Sequence, residues 1–249
     1  MKLHHEIAGP TAGPAIVCVG SLGTTLEMWR PQIDALSPDF RVVAVDLPGH
    51  GGTQIPDQPP TVASYAATVA DLMVALGHTR FGVVGLSFGG AVAQVLAADH
   101  AAHVTAAVVA CTAPSFDTGF WTDRAAAVRR DGLGPVVEAT ALRRFSADFT
   151  ARAPEAAAAS LKQLAAMDPE GYAVTCEALG SFAEPVADRI RVPVQLVAGS
   201  ADQVTPPHLA DRLLELIPEA RLDLLDGAGH LASLEQPRAF TALVRAHFG

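Results

Sequence analysis

Three cysteines in 249 residues, Cys18, Cys111 and Cys176, are too few and too scattered for a disulfide framework or a zinc site. Each is read as a small buried apolar residue. No stretch approaches the roughly 18 uninterrupted apolar residues that a membrane helix needs. The N-terminal segment MKLHHEIAG lacks a basic patch followed by an apolar run, which excludes an evident secretory signal. Charged residues are scarce, 17% against 50% apolar, and that ratio excludes a disordered chain. Basic side chains are outnumbered 17 to 26, and a net charge of −9 argues against nucleic acid or an anionic membrane as partner. The expectation is a soluble, cytoplasmic, metal-free protein acting on a small molecule, with a homo-oligomer left open.

What the chain does contain is alternation. Short apolar runs at Ala15–Val19, Arg41–Val45, Phe81–Leu86, Val104–Ala110, Val192–Ala198 and Ala220–Leu225 are separated by longer helical patterns. Continuous runs, without strict alternation, predict strands covered on both faces, as in a parallel sheet. Val62, Tyr65, Ala66, Val69, Leu72, Met73 and Leu76 recur at helical spacing and stop at Gly77. Gly90–Asp99, Pro207–Ile217 and Pro237–His247 read as further helices. The fold class predicted is α/β, a mostly parallel twisted sheet with helices on both faces. Residues 120–186 break the rhythm: Ala-, Arg- and Glu-rich, they predict three or four helices and no strand. They are read as a helical lid inserted into a core made of residues 1–119 and 187–249. Parallel α/β sheets bind ligands at the carboxyl ends of their strands, where such an insertion sits.

The strongest chemical signal is Gly85-Leu86-Ser87-Phe88-Gly89-Gly90, placed between an apolar strand and an apolar helix. A G-x-S-x-G turn in that context lifts the Ser87 hydroxyl clear of the chain at a helix N-terminus, whose dipole favours developing negative charge. A serine hydroxyl needs a base. His4, His5, His78, His100, His103 and His247 fall near element ends or exposed faces, and His208 opens a helix after two prolines. His230 lies in Gly227-Ala228-Gly229-His230, a glycine-rich loop between the last strand and a C-terminal helix, and is assigned as general base. Asp202 follows the Val192–Ala198 run and is assigned as the carboxylate that orients His230. Asp226, four residues before His230, is the rival acid, and Asp117 a weaker one. The oxyanion donors expected are the N–H of Phe88 and that of Leu22, in Gly20-Ser21-Leu22-Gly23-Thr24-Thr25. His50, flanked by glycines in Asp46-Leu47-Pro48-Gly49-His50-Gly51, is read as part of a structural loop beside the site.

Ser87, Asp202 and His230 occur in the chain order of the α/β-hydrolase superfamily. The chain resembles that superfamily and, more narrowly, the 3-oxoadipate enol-lactonases. The narrow resemblance spreads over SLGTTLEMWRPQ at 21–32, DLPGHGGT at 46–53, GLSFGGAVAQ at 85–94, AGSADQVTPP at 198–207 and GAGHLASLEQP at 227–237. Trp121 with AAAVRRDGL, and GYAVTCEA at 171–178, look like the lid of that family. The resemblance implies opening of 3-oxoadipate enol-lactone to 3-oxoadipate, in aromatic breakdown, by Ser87, Asp202 and His230 with no cofactor. Two departures fall where substrate is gripped: Arg144 stands where the family usually has Trp, and Val19-Gly20 where it commonly has Ser-Asn. Arg129, Arg130, Arg143 and Arg144 come from the predicted lid, and any one can clamp a carboxylate. Arg143 is chosen because it matches the family's Arg. Trp29, Trp121, Arg144, Phe145 and Tyr172 complete the expected pocket. The same triad also suits a general carboxylesterase, a carbon–carbon bond hydrolase or a cofactor-free perhydrolase, and the fold can carry a non-catalytic ligand receptor.

Overall fold

The computed structural model describes residues 2–249. Strands β1 to β7 are His5–Ala8, Ala15–Val19, Arg41–Val45, Phe81–Leu86, Val104–Ala110, Val194–Gly199 and Arg221–Leu225. They form one sheet in the order β1-β3-β2-β4-β5-β6-β7. Every neighbouring pair is parallel except β1, which runs antiparallel to β3. All six expected strands are present. β1 has no counterpart in the sequence reading, because four residues HEIA carry too little pattern; pairing with β3 makes them a strand. Pro193 stays outside β6 because it has no N–H for the ladder, although its carbonyl still accepts from Ala107 at 3.0 Å.

Before β5 lie α1 (Arg30–Leu36), α2 (Val62–Ala75) and α3 (Phe88–Asp99). Between β5 and β6 lie α4 (Thr118–Asp131), α5 (Gly134–Ala141), α6 (Ala147–Arg152), α7 (Pro154–Ala165) and α8 (Pro169–Gly180). The chain ends with α9 (Pro207–Leu216), α10 (Ala232–Glu235) and α11 (Pro237–Phe248). Side chains of β2 show why its run reads as continuously apolar. Ala15, Val17 and Val19 join the core built with α2, α3 and α9, while Ile16 and Cys18 join the one built with α1 and α11. The three cysteines are free and buried, and burial pushes the Cys18 thiol up to about 12. Among the described residues no helix is long and apolar enough to cross a membrane.

The inserted region holds five helices, not three or four. Gly132, at φ +73°, closes α4 before Gly134 opens α5. Ala153, at φ −137° and ψ 56°, leaves the helical region before Pro154 and separates α6 from α7. These helices seat on the loops that leave the carboxyl ends of the strands. Gly171 of α8 touches Gly49 in the loop after β3, where a Cβ on Gly171 would fall 2.3 Å from the Gly49 carbonyl oxygen. Thr175 adds a hydrogen bond to Pro48 O at 3.0 Å. After β2 the chain moves outward to β3, then returns to place β4 on the other side of β2. That reversal opens a crevice between the ends of β2 and β4, and the loops carrying Leu22 and Ser87 leave those two ends.

Candidate active site

Ser87 sits at φ 59° and ψ −112°, a strained conformation for a residue with a Cβ. The flanking glycines are required by contact. A Cβ on Gly85 would lie 1.9 Å from Gly89 O, and one on Gly89 would lie 1.9 Å from Val19 O. The strain is held in place by Ser87 N–H donating to Ala110 O at 2.9 Å and Ser87 O accepting from Thr112 Oγ1 at 2.8 Å. The side chain therefore stands at the start of α3, facing a cavity of about 290 Å³ that it shares with Leu22 and His230.

His230 is buried, and its Nδ1 lies 2.9 Å from Asp202 Oδ2. Asp202 Oδ1 accepts the backbone N–H of Val204 at 2.8 Å and of Thr205 at 3.0 Å, and Oδ2 accepts Thr205 Oγ1 at 2.7 Å. Burial alone raises the Asp202 carboxyl, but the facing His230, by charge and hydrogen bond, together with the Thr205 donors, pulls it below the usual carboxylate range. The pair is thus built with an ionised acid against a ring that keeps a proton on Nδ1 and frees Nε2. No well-aligned hydrogen bond joins Ser87 Oγ to His230 among the described residues. Asp226 is exposed, accepts from Ser200 Oγ at 3.1 Å and does not meet His230. Asp117 lines the cavity but spends its carboxylate capping α4 through Phe120 N–H.

The N–H groups of Leu22 and Phe88 donate to no protein acceptor among the described residues. Leu22 lies in the loop after β2 and Phe88 opens α3, both at the mouth of the crevice. Around Leu22 the turn is fixed by Thr24 N–H on Ser21 O at 3.1 Å, by Thr24 Oγ1 on Ser21 O at 2.6 Å and by Met28 Sδ, which accepts Ser21 N–H at 3.4 Å. His50 contributes a further support. Its Nε2 accepts Gly23 N–H at 3.1 Å while its Nδ1 donates to Pro48 O at 2.9 Å, a pattern that only the neutral ring can make. Burial drives the His50 imidazole down to about 4. Since the folded ring resists protonation and the unfolded ring does not, stability falls as pH drops from 6.5 towards 4, by about 3 kcal/mol in full. Urea unfolding of wild type and His50→Gln across that range is expected to show this loss in wild type only. Parallel curves for both proteins would refute it.

The expected pocket residues divide. Trp121, Arg143, Arg144 and Tyr172 line the cavity. Trp29 does not: it is fully buried against Phe240, ring centroids 6.0 Å apart, because the turn preceding α1 faces the core. Phe145 does not either. It stacks on Phe149 at 4.9 Å and lines a separate hollow beside α7. Arg129 and Arg130 pair with Glu170, Glu177 and Asp131 and do not line the cavity. Two residues of the site escaped the sequence reading. Thr205, buried beside both Asp202 and His230, could have been found as a hydroxyl three residues after the acid, on the same turn. Arg124 lies over the rings of Trp121, at 5.7 Å, and Tyr172, at 5.8 Å. Its spacing of three from Trp121 puts both on one helix face.

A family model described as alpha/beta hydrolase family matches residues 16–243. Two 3-oxoadipate enol-lactonases of Acinetobacter baylyi are similar along nearly the whole chain. One is 33% identical, covering 99% of this chain and 92% of the relative; the other is 35% identical, covering 94% and 88%. The crystal structure of an enol-lactonase from Burkholderia xenovorans superposes with a TM-score of 0.93 at 35% identity, covering 98% of this chain and 95% of that one. With the strand order, the glycine-framed serine turn and these matches together, the chain belongs to the alpha/beta hydrolase family and is a hydrolase.

Proposed function

We propose that Ser87, His230 and Asp202 serve as nucleophile, general base and orienting carboxylate in the hydrolysis of a small lactone or ester. One observation carries this reading: a strained serine at a helix start and a buried Asp202–His230 pair open onto one cavity, beside two unengaged N–H groups. Ser87 Oγ attacks the acyl carbonyl as His230 Nε2 takes its proton. Asp202 keeps the ring's Nδ1–H directed at itself and offsets the imidazolium charge. The tetrahedral oxyanion accepts from Leu22 and Phe88 N–H. Collapse transfers the His230 proton to the departing oxygen and leaves an acyl-enzyme, which a water deprotonated by His230 then cleaves. Residues 120–186 act as the lid and the rest of the chain as the core.

The similarity to enol-lactonases supports 3-oxoadipate enol-lactone as substrate and 3-oxoadipate as product. The cavity wall fits an anion of that kind. Arg124, Arg143 and Arg144 line it, and Asp117, the one carboxylate that does so among the described residues, is already engaged. Trp121 and Tyr172 offer apolar surface to the ring. Steady-state hydrolysis of 3-oxoadipate enol-lactone beside phenyl acetate tests the reading. A strong preference for the lactone is expected, with kcat/KM at least roughly 100-fold higher, since a fit to the charged substrate is worth a few kcal/mol in the transition state. Turnover of phenyl acetate alone would leave a general esterase in its place.

A further inference from the structure

Arg144 is a buried cation without an anion. Its residue is 3% exposed, and it lines the cavity with Ser87, Leu22 and His230. No carboxylate pairs with it among the described residues. Nη2 donates to Gly23 O at 2.7 Å, and Nε is buried with no partner at all. In a chain with net charge −9, carboxylates are plentiful, and the exposed Arg129 takes two of them. Leaving a desolvated guanidinium unpaired costs stability, and such a cost persists where a ligand supplies the missing charge. Burial lowers the Arg144 guanidinium only to about 10, so it stays charged at neutral pH. Arg124, the next cation on the wall, is engaged by two aromatic faces and the Tyr172 hydroxyl at 3.1 Å. Arg143 is half-buried and rests on Ala139 O at 3.4 Å, where solvent screens it.

We propose that Arg144 is the anchor for a substrate carboxylate, and that the substrate holds this carboxylate within a few bonds of the carbonyl that Ser87 attacks. The spacing follows from Gly23. Its carbonyl, held by Arg144, is only two residues' length, at most about 7 Å, from the Leu22 N–H that receives the oxyanion. A short carboxylated lactone or ester reaches both points; a neutral ester leaves the guanidinium unpaired, and a long-chain acid places its charge too far away. This assignment rests on the proposed reaction at Ser87.

The test compares wild type, Arg144→Met and Arg144→Lys on 3-oxoadipate enol-lactone and on the neutral α-angelica lactone. Arg144→Met is expected to lower kcat/KM for the charged lactone roughly 30-fold more than for the neutral one, with the difference mainly in KM. Arg144→Lys keeps a cation but loses the planar fork, and falls between. In thermal unfolding, adipate is expected to raise the midpoint of wild type and not that of Arg144→Met. An equal fall on both lactones would reduce Arg144 to a support of the Gly23 turn and overturn the proposal, as would no fall on either. Adipate stabilisation needs no turnover. It therefore judges Arg144 even if Ser87→Ala keeps its activity and the proposed reaction fails.

Discussion

Ser87→Ala is expected to lower kcat roughly 10⁴-fold or more on any substrate the wild type turns over, because nucleophile, base and acid act as a unit. The substitution is a clean one here. Alanine carries the same Cβ, so φ 59° strains it no more than serine, and the backbone bonds to Ala110 and Thr112 survive. What disappears is the hydroxyl. The unfolding midpoint is therefore expected to stay close to wild type while turnover vanishes, and product binding to persist. Circular dichroism melting and steady-state kinetics on the same preparation check both. A variant retaining more than about 1% of kcat would remove Ser87 from the mechanism.

Asp202→Asn should cost nearly as much, roughly 10⁴-fold in kcat, whereas Asp226→Asn should stay within about threefold. The geometry gives the reason. Asp202 Oδ1 is occupied by the N–H groups of Val204 and Thr205, so an asparagine keeps its carbonyl oxygen there and turns its NH₂ towards His230 Nδ1. That donor forces the ring proton onto Nε2, the atom meant to accept from Ser87. The Asp226 carboxylate accepts from the Ser200 hydroxyl and its backbone carbonyl from Gln236 Nε2, and neither bond reaches the Asp202–His230 pair. If Asp226→Asn were the inactive variant, the assignment of the acid would be reversed.

Most of the fold was legible because its signals are local. Runs such as AIVCV and RVVAV announce strands buried on both faces, and the α2 periodicity ends at Gly77, which adopts φ +88°. The Ser87 turn was legible for the same reason: glycines at 85 and 89 are demanded by backbone contacts within a few residues of the serine or across one strand. Where pattern was thin, the reading failed. β1 is four residues long and owes its state to β3, and the inserted helices break at Ala153 because of the following proline.

The lining of the cavity was much less legible than the Ser87 turn. Trp29 and Phe145 look like binding aromatics in the sequence, yet both turn into packing. Their direction depends on which face of a short helix or loop meets the core, and residues such as Phe240, more than 200 positions away, settle it. Thr205 and the His50 bond to Gly23 likewise join segments whose proximity no spacing announces.

The sequence by itself determined the α/β class, the serine turn, and the order of serine, acid and histidine, because periodicity and strained turns are properties of neighbouring residues. Only the tertiary structure showed that Asp202, and not Asp226, stands against His230, and only it singled out Arg144 as a buried charge with no carboxylate partner among the described residues. Both are questions of what stands within about 3 Å of a side chain, and that is set by the packing of distant segments rather than by their place in the chain.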